Sequence, residues 1–160
     1  MSGLTQGLVL ACALGCALSG GVLFAFSTFV MAGLDRLPAS GGIAAMQSIN
    51  VTAVRPPLIL TLLGTALVCL AAIVVAAVSL DQSWAGWALA GGLTYLLGVV
   101  VVTAAANVPL NDRLARVDPS AADAEGEWGR YVTVWTAWNH ARSLAGALAA
   151  GLLMVALIAG

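Results

Sequence analysis

Four side chains late in the chain have the types and the spacing of a working site. Trp135, Trp138, Asn139 and Arg142 recur at i, i+3, i+4 and i+7, so on an α-helix they share one face. His140, the only histidine, is one residue off that stripe. Two indoles offer a flat apolar surface. An amide and a guanidinium are donors to a developing negative charge, and an imidazole is a base near neutral pH. The same residues also suit a plainer task. Tryptophans gather at membrane–water boundaries, and an arginine there reaches outward to headgroups. Asn139 and Arg142 fit that task less well, because polar groups at membrane depth are costly unless they are used.

The elements that must position these groups are membrane spans. Of 160 residues, 61% are hydrophobic and 8% charged, and the mean hydropathy is +1.02. Such a chain lies almost wholly in a bilayer. The net charge of −1 gives nucleic acid no purchase. All six basic residues are arginines, and Cys12, Cys16 and Cys69 lie inside apolar runs. Thiols so placed act as small apolar packers, with neither a disulfide framework nor the partners for a metal site.

The spacing predicts an all-α protein, a single integral membrane domain over residues 1–160, with four transmembrane helices at about 4–34, 57–80, 84–106 and 132–159. The first is too long for a signal peptide and has no basic leader. A short helix is expected between spans 1 and 2, carrying Met46, Gln47, Asn50 and Val54 on one side and ended by Pro56-Pro57. Gln47, Asn50 and Arg55 either form a wet interfacial face or point back into the bundle. After span 3, Pro109 is expected to interrupt the ladder, with Asn107 capping a new helical segment and Asn111 one turn on. Asp118 to Gly126 reads as a solvated acidic turn. Glycines recur along the spans and permit close helix approach.

All six arginines (36, 55, 113, 116, 130 and 142) fall on the side of the bundle opposite the termini. The positive-inside rule makes that side cytoplasmic, with both termini outside, in a bacterial inner or plasma membrane. Gln47, Asn50, Arg55, Asn107, Asn111, Asn139, His140 and Arg142 collect toward that same end. Unpaired polar groups at depth cost about 1–3 kcal/mol each, so the gathering suggests a pocket opening to the cytoplasm, roofed by Trp135 and Trp138. The competing reading is that the amides only staple helix ends around Pro109.

The segments NVPLNDRLA (Asn107–Ala115) and WTAWNHARSL (Trp135–Leu144), with FSTFVMAGLDRLPA and GIAAMQSIN upstream, resemble the anthrone oxygenase-like family of small four-helix membrane proteins. The resemblance spans nearly the whole chain and is most specific in N-x-P-x-N followed by W-x-x-x-N-x-x-R. It implies oxidation of an anthrone to an anthraquinone with O₂. The family's polar positions carry over to Asn107, Asn111, Trp135, Asn139, Arg142 and His140. On that reading Trp135 and Trp138 form the slot. Arg142 with Asn139 or Asn107 stabilises the enolate oxygen, and His140 is the base. Gln47, Asn50, Asn111 and Arg55 complete the substrate-binding set. No cofactor is required, because an anthrolate passes an electron to O₂ without a metal.

Haem is an alternative, with His140, Met31 or Met46 as axial ligand, as is a binding or accessory protein whose polar cluster holds a lipophilic ligand or only fixes helix packing. The expected partners are a small apolar aromatic molecule, the lipid bilayer and, given the glycines, a second copy of the chain. A transporter is disfavoured, since no paired broken helices are evident.

Overall fold

The structure is a computed structural model that describes residues 1–160. Five helices account for nearly all of it: α1 (Gly3–Leu34), α2 (Ala39–Ala53), α3 (Pro56–Ala77), α4 (Ala85–Leu114) and α5 (Ala124–Ala159). The fold is all-α, and α1, α3, α4 and α5 are each long and apolar enough to cross a membrane. Their outer faces carry large apolar side chains in the open, among them Leu14, Leu67, Leu97 and Leu148. That surface is stable against lipid and not against water. The protein is an integral membrane protein.

Three helix starts carry recognisable start signals, of which Pro56-Pro57 is the expected one. The Ser2 hydroxyl accepts from the Thr5 N–H at 3.2 Å and caps α1. Pro56 and Pro57 open α3, where their missing N–H groups cost nothing. Glu125 and Glu127 occupy the first turn of α5, at the positive end of its dipole.

The four spans close a square. α1 packs most extensively on α5, α5 on α4, α4 on α3, and α3 on α1. The α1–α5 seam depends on glycine: a Cβ on Gly146 would lie 2.8 Å from the Gly20 Cα, so the two backbones meet without side chains between them. Two cores result. The larger, inside the spans, is built mostly of small residues such as Cys12, Cys16, Cys69, Ala72, Ala88 and Ala149. The second lies at the end away from the termini, where α2 folds over α1, α4 and α5, and it is built of bulk: Met31, Ile43, Met46, Trp128, Tyr131 and Trp135. Gly42 admits the Trp128 indole, since a Cβ there would come 2.6 Å from its ring.

The region around Pro109 departs from expectation. Asn107 caps nothing, and the helical extension after the third span is continuous with it, forming the end of α4. The helix has wide π-helical turns at Leu96–Val101 and Thr103–Asn107. The second contains Ala105, whose carbonyl the Pro109 ring would otherwise meet, and so accommodates the proline. α1 has a third such turn at Phe26–Val30. The acidic connection is also shorter than expected, because Ala124–Gly126 already belong to α5. Within it, the Asp118 carboxylate accepts from the Ser120 N–H at 2.8 Å and hydroxyl at 2.7 Å. Those bonds hold its pKa below the usual carboxylate value.

Packing at the glycine seam makes a direct prediction. Gly146→Leu should destabilise the bundle by about 1–3 kcal/mol through overpacking and lower its unfolding temperature in detergent. Gly151→Leu, with nothing within 4 Å of its Cβ position, should leave that temperature unchanged.

Candidate active site

The two cores do not meet without a gap. Between them, at the level of the first turns of α3, is a cavity of about 180 Å³ to which all five helices contribute. Leu23 and Phe26 come from α1, Met46 and Asn50 from α2, Leu58 and Leu62 from α3, Thr103 and Asn111 from α4, and Trp135 and Arg142 from α5. Measured from Ala159, Arg142 is about 26 Å along α5 at roughly 1.5 Å per residue. That is close to the thickness of a hydrocarbon core, about 30 Å. The cavity therefore lies inside the bilayer near the arginine-bearing face.

Arg142 dominates the site. It is only 5% exposed, and no carboxylate is paired with it; the one ion pair in the structure is Arg113–Glu127, at the surface. Its Nη2 donates to Asn139 Oδ1 at 2.7 Å and its Nη1 to Thr103 Oγ1 at 3.1 Å. The guanidinium lies over the Trp135 ring at 5.3 Å from the centroid, a cation–π contact that offsets part of the burial cost. The Nε–H has no partner. A second buried donor without a partner, Asn50 Nδ2, belongs to the same cavity wall.

Other side chains hold this arrangement in place. Asn139, fully buried, donates from Nδ2 to the Leu23 carbonyl at 2.7 Å and to Ser27 Oγ at 2.8 Å. Its oxygen is thereby aimed at Arg142. Thr103 is fixed by donating to the Val99 carbonyl at 2.6 Å. Asn111 Oδ1 accepts from Trp135 Nε1 at 2.8 Å and from the Tyr131 hydroxyl at 2.9 Å, leaving its amide nitrogen as the remaining donor. Asn107 Nδ2 donates to the Trp135 carbonyl at 3.2 Å, behind the indole. Behind the wall, the Tyr95 hydroxyl donates to two lining residues, at 3.0 Å from Ser19 Oγ and 3.1 Å from the Leu62 carbonyl.

Asn50, Asn111, Trp135 and Arg142 thus share the cavity, with Asn107 and Asn139 directly behind its wall. Four other candidates are placed elsewhere. Trp138 is 46% exposed on the outer face and roofs nothing. His140 is exposed and borders a separate groove between α1 and α5, together with Asp35, Met31 and Thr136. The reason is rotational: each residue turns the helix by 100°, so the burial arc that takes Trp135, Asn139 and Arg142 leaves Trp138 at its edge and His140 outside. Gln47 donates to the Leu114 and Val117 carbonyls, both at 2.9 Å, and so caps the end of α4 instead of facing a ligand. Arg55 is exposed and lines an open groove beside the cavity.

Of the haem-ligand candidates, Met31 belongs to the aromatic core and borders the same groove as His140, whereas Met46 lines the cavity. Thr103, Ser27 and Tyr95 are site-forming residues that motif reading passes over. Their one signal in the sequence is a hydroxyl within an otherwise apolar span.

A family model described as anthrone oxygenase matches residues 57–152, which covers α3, α4 and most of α5. The chain belongs to the anthrone oxygenase family. Membership points to oxygenase-type chemistry, and the matched region includes Thr103, Asn107, Asn111, Trp135, Asn139 and Arg142. Comparisons with curated proteins and with solved structures each give no match.

In this anthrone oxygenase family member, Asn139→Ala should cost about 1–3 kcal/mol, since it strips Arg142 of an acceptor and leaves a buried donor unpaired. Gln47→Ala should cost a similar amount by exposing two carbonyls, yet leave ligand affinity unchanged. Thermal unfolding and ligand titration of the two variants check this contrast.

Proposed function

We propose that the protein oxidises a planar, apolar, anthrone-like ketone or phenol with O₂ inside the cavity between the two cores. The observation that supports this reading best is Arg142: a buried guanidinium with no carboxylate, an unpartnered Nε–H, and apolar and aromatic walls around it. A cation so placed is completed by an anion that comes and goes. An enolate oxygen suits it, because the charge appears as the reaction begins and the donors are already aimed.

The reaction balances without a further reactant. An anthrone loses a proton from its CH₂, and the charge moves to the ketone oxygen, against Arg142 Nε and Asn50 Nδ2. Stabilising that oxyanion makes the substrate CH₂ more acidic; its proton passes to water and is taken back by the peroxide anion formed later, and His140 on the outer face has no part. The enolate gives one electron to O₂. The resulting radical and superoxide join through a new C–O bond, and the hydroperoxide loses water to leave the second carbonyl. Anthrone plus O₂ becomes anthraquinone plus water. Trp135, held by Asn111 and Asn107, supplies the face on which the ring system lies.

The test is oxygen uptake and quinone absorbance with a hydroxylated anthrone and the purified protein in mild detergent. Arg142→Gln, kept folded by its remaining amide, should lower turnover by about 10²–10³-fold, and His140→Ala should leave it unchanged. Binding of the anthrone with no turnover in the native protein would instead make this a lipophilic-ligand-binding or accessory protein.

We also place both termini on the side away from the cytoplasm. Arg36, Arg55, Arg113, Arg116 and Arg130 all lie toward the opposite end, as the positive-inside rule requires of a cytoplasmic face. A C-terminal alkaline phosphatase fusion should be active in a bacterial host; an inactive phosphatase with a fluorescent cytoplasmic reporter would reverse the orientation.

A further inference from the structure

The cavity has a second polar end. Ser19 of α1 lines it and is fully buried. Its neighbour Gly20 meets Gly146 across the α1–α5 seam. Ser19 is therefore about one turn of α5 nearer the termini than Arg142, roughly 6 Å at about 1.5 Å per residue. The Arg142 guanidinium reaches the other way, to Asn139 and Thr103. Between the two ends the walls are apolar, with Val22, Leu23, Ile59 and Leu62.

The ends differ in what they can bind. At the Arg142 end the buried groups without a partner are both donors, Arg142 Nε and Asn50 Nδ2, and they suit a ketone oxygen. At the other end two hydroxyls and a carbonyl share two protons. The Tyr95 hydroxyl has one proton and two acceptors within reach, Ser19 Oγ at 3.0 Å and the Leu62 carbonyl at 3.1 Å. The carbonyl can only accept. When Tyr95 donates to Leu62, Ser19 can donate to the Tyr95 oxygen and keeps a lone pair for a ligand. When Tyr95 donates to Ser19, the Ser19 proton is left for the ligand. Thr61, Thr94 and Thr133 turn their hydroxyls back on the carbonyl four residues earlier; the Ser19 hydroxyl is bonded to Tyr95 instead and stays at the cavity wall. An unfilled hydroxyl position among apolar walls costs free energy until a partner arrives. A hydroxyl, which both donates and accepts, satisfies either proton arrangement.

We propose that Ser19, set by Tyr95, is a specificity-determining residue that binds a hydroxyl on an outer ring of the ligand, away from its ketone. The substrate is then an aromatic hydroxy-ketone held at both ends, with its ketone oxygen at Arg142 and Asn50 and its ring hydroxyl at Ser19. The two contacts fix which way round the molecule lies. A hydroxyl beside the ketone is out of reach of Ser19 and gains nothing from it. The ketone end of this picture rests on the proposed oxidation; the Ser19 end is tested by binding alone.

The experiment compares three anthraquinones as ligands of the full chain in mild detergent, read by quenching of indole fluorescence in mildly acidic buffer that keeps phenols neutral. 2-Hydroxyanthraquinone carries its hydroxyl away from both carbonyls, 1-hydroxyanthraquinone carries it beside one, and 2-methylanthraquinone matches the first in size without the hydroxyl. The 2-hydroxy compound should bind about fivefold more tightly than either of the others, the scale of one neutral hydrogen bond. Ser19→Ala should remove that preference and leave the affinity for the 2-methyl compound unchanged, since Tyr95 keeps the Leu62 carbonyl as acceptor. Arg142→Gln should weaken all three alike and preserve the preference. No preference in the native protein, or one that survives Ser19→Ala, would overturn the proposal. So would a preference lost in Arg142→Gln, because the hydroxyl would then be bound at the other end. Equal weakening of all three ligands in Ser19→Ala would also overturn it and leave Ser19 a packing residue. An intact preference in a protein that oxidises no anthrone would count against the oxidation and leave the Ser19 subsite standing; turnover with no preference would do the reverse.

Discussion

A guanidinium buried inside a bilayer without a counter-charge is the constraint to which the rest of the structure answers. Removing such an ion from water costs several kcal/mol even after relaxation. The protein meets part of that cost with neutral groups: the Asn139 oxygen, the Thr103 hydroxyl and the Trp135 ring. Each of these is held in turn by a partner on another helix or on the next turn of its own. Arg142 therefore draws α1 and α4 toward α5 through Asn139 and Thr103, and the residual charge is left facing the cavity. An arginine kept in this state serves a ligand better than it serves stability, because an apolar residue of similar volume would pack there at lower cost.

The division into two cores explains why the cavity exists where it does. Inside the spans, helices touch through glycine, alanine and cysteine, and the gap between axes closes. At the far end α2 is wedged over the bundle, and tryptophan, tyrosine and methionine hold the helices apart. A narrow packing cannot pass into a wide one without leaving space. The π-helical turns of α1 and α4 fall at this transition, with Phe26 and Thr103 on the cavity wall. Their extra residue per turn lets both helices change face without breaking, and in α4 it also accommodates Pro109.

Family membership and local geometry support the same chemistry from different directions. The family match covers the residues that hold and surround the arginine, whereas α1 and α2, which supply Asn50, Phe26 and the Asn139 acceptors, lie before the matched region. Of the two unpartnered donors of the cavity, Arg142 thus comes from the matched part of the chain, and Asn50, with much of the slot's shape, from the part ahead of it.

Composition alone determined that the chain is an all-helical membrane protein, because 61% apolar and 8% charged residues admit no other solvent. Helical periodicity determined that Trp135, Asn139 and Arg142 share a face. It left open whether that face turns inward, and whether Trp138, about 60° round from Trp135, is buried with it. Only packing against α1 and α4 set the rotation; once this face was turned inward, His140, about 140° round from Trp135, was left outside. Gln47 and Asn50 lie three residues apart on one helix; whether each caps a distant helix or lines a cavity depends on where the end of α4 comes to rest, which no local pattern encodes. The tertiary structure decided the site because a cavity is a property of the distances between helices, and those follow from side-chain volumes summed across the whole bundle.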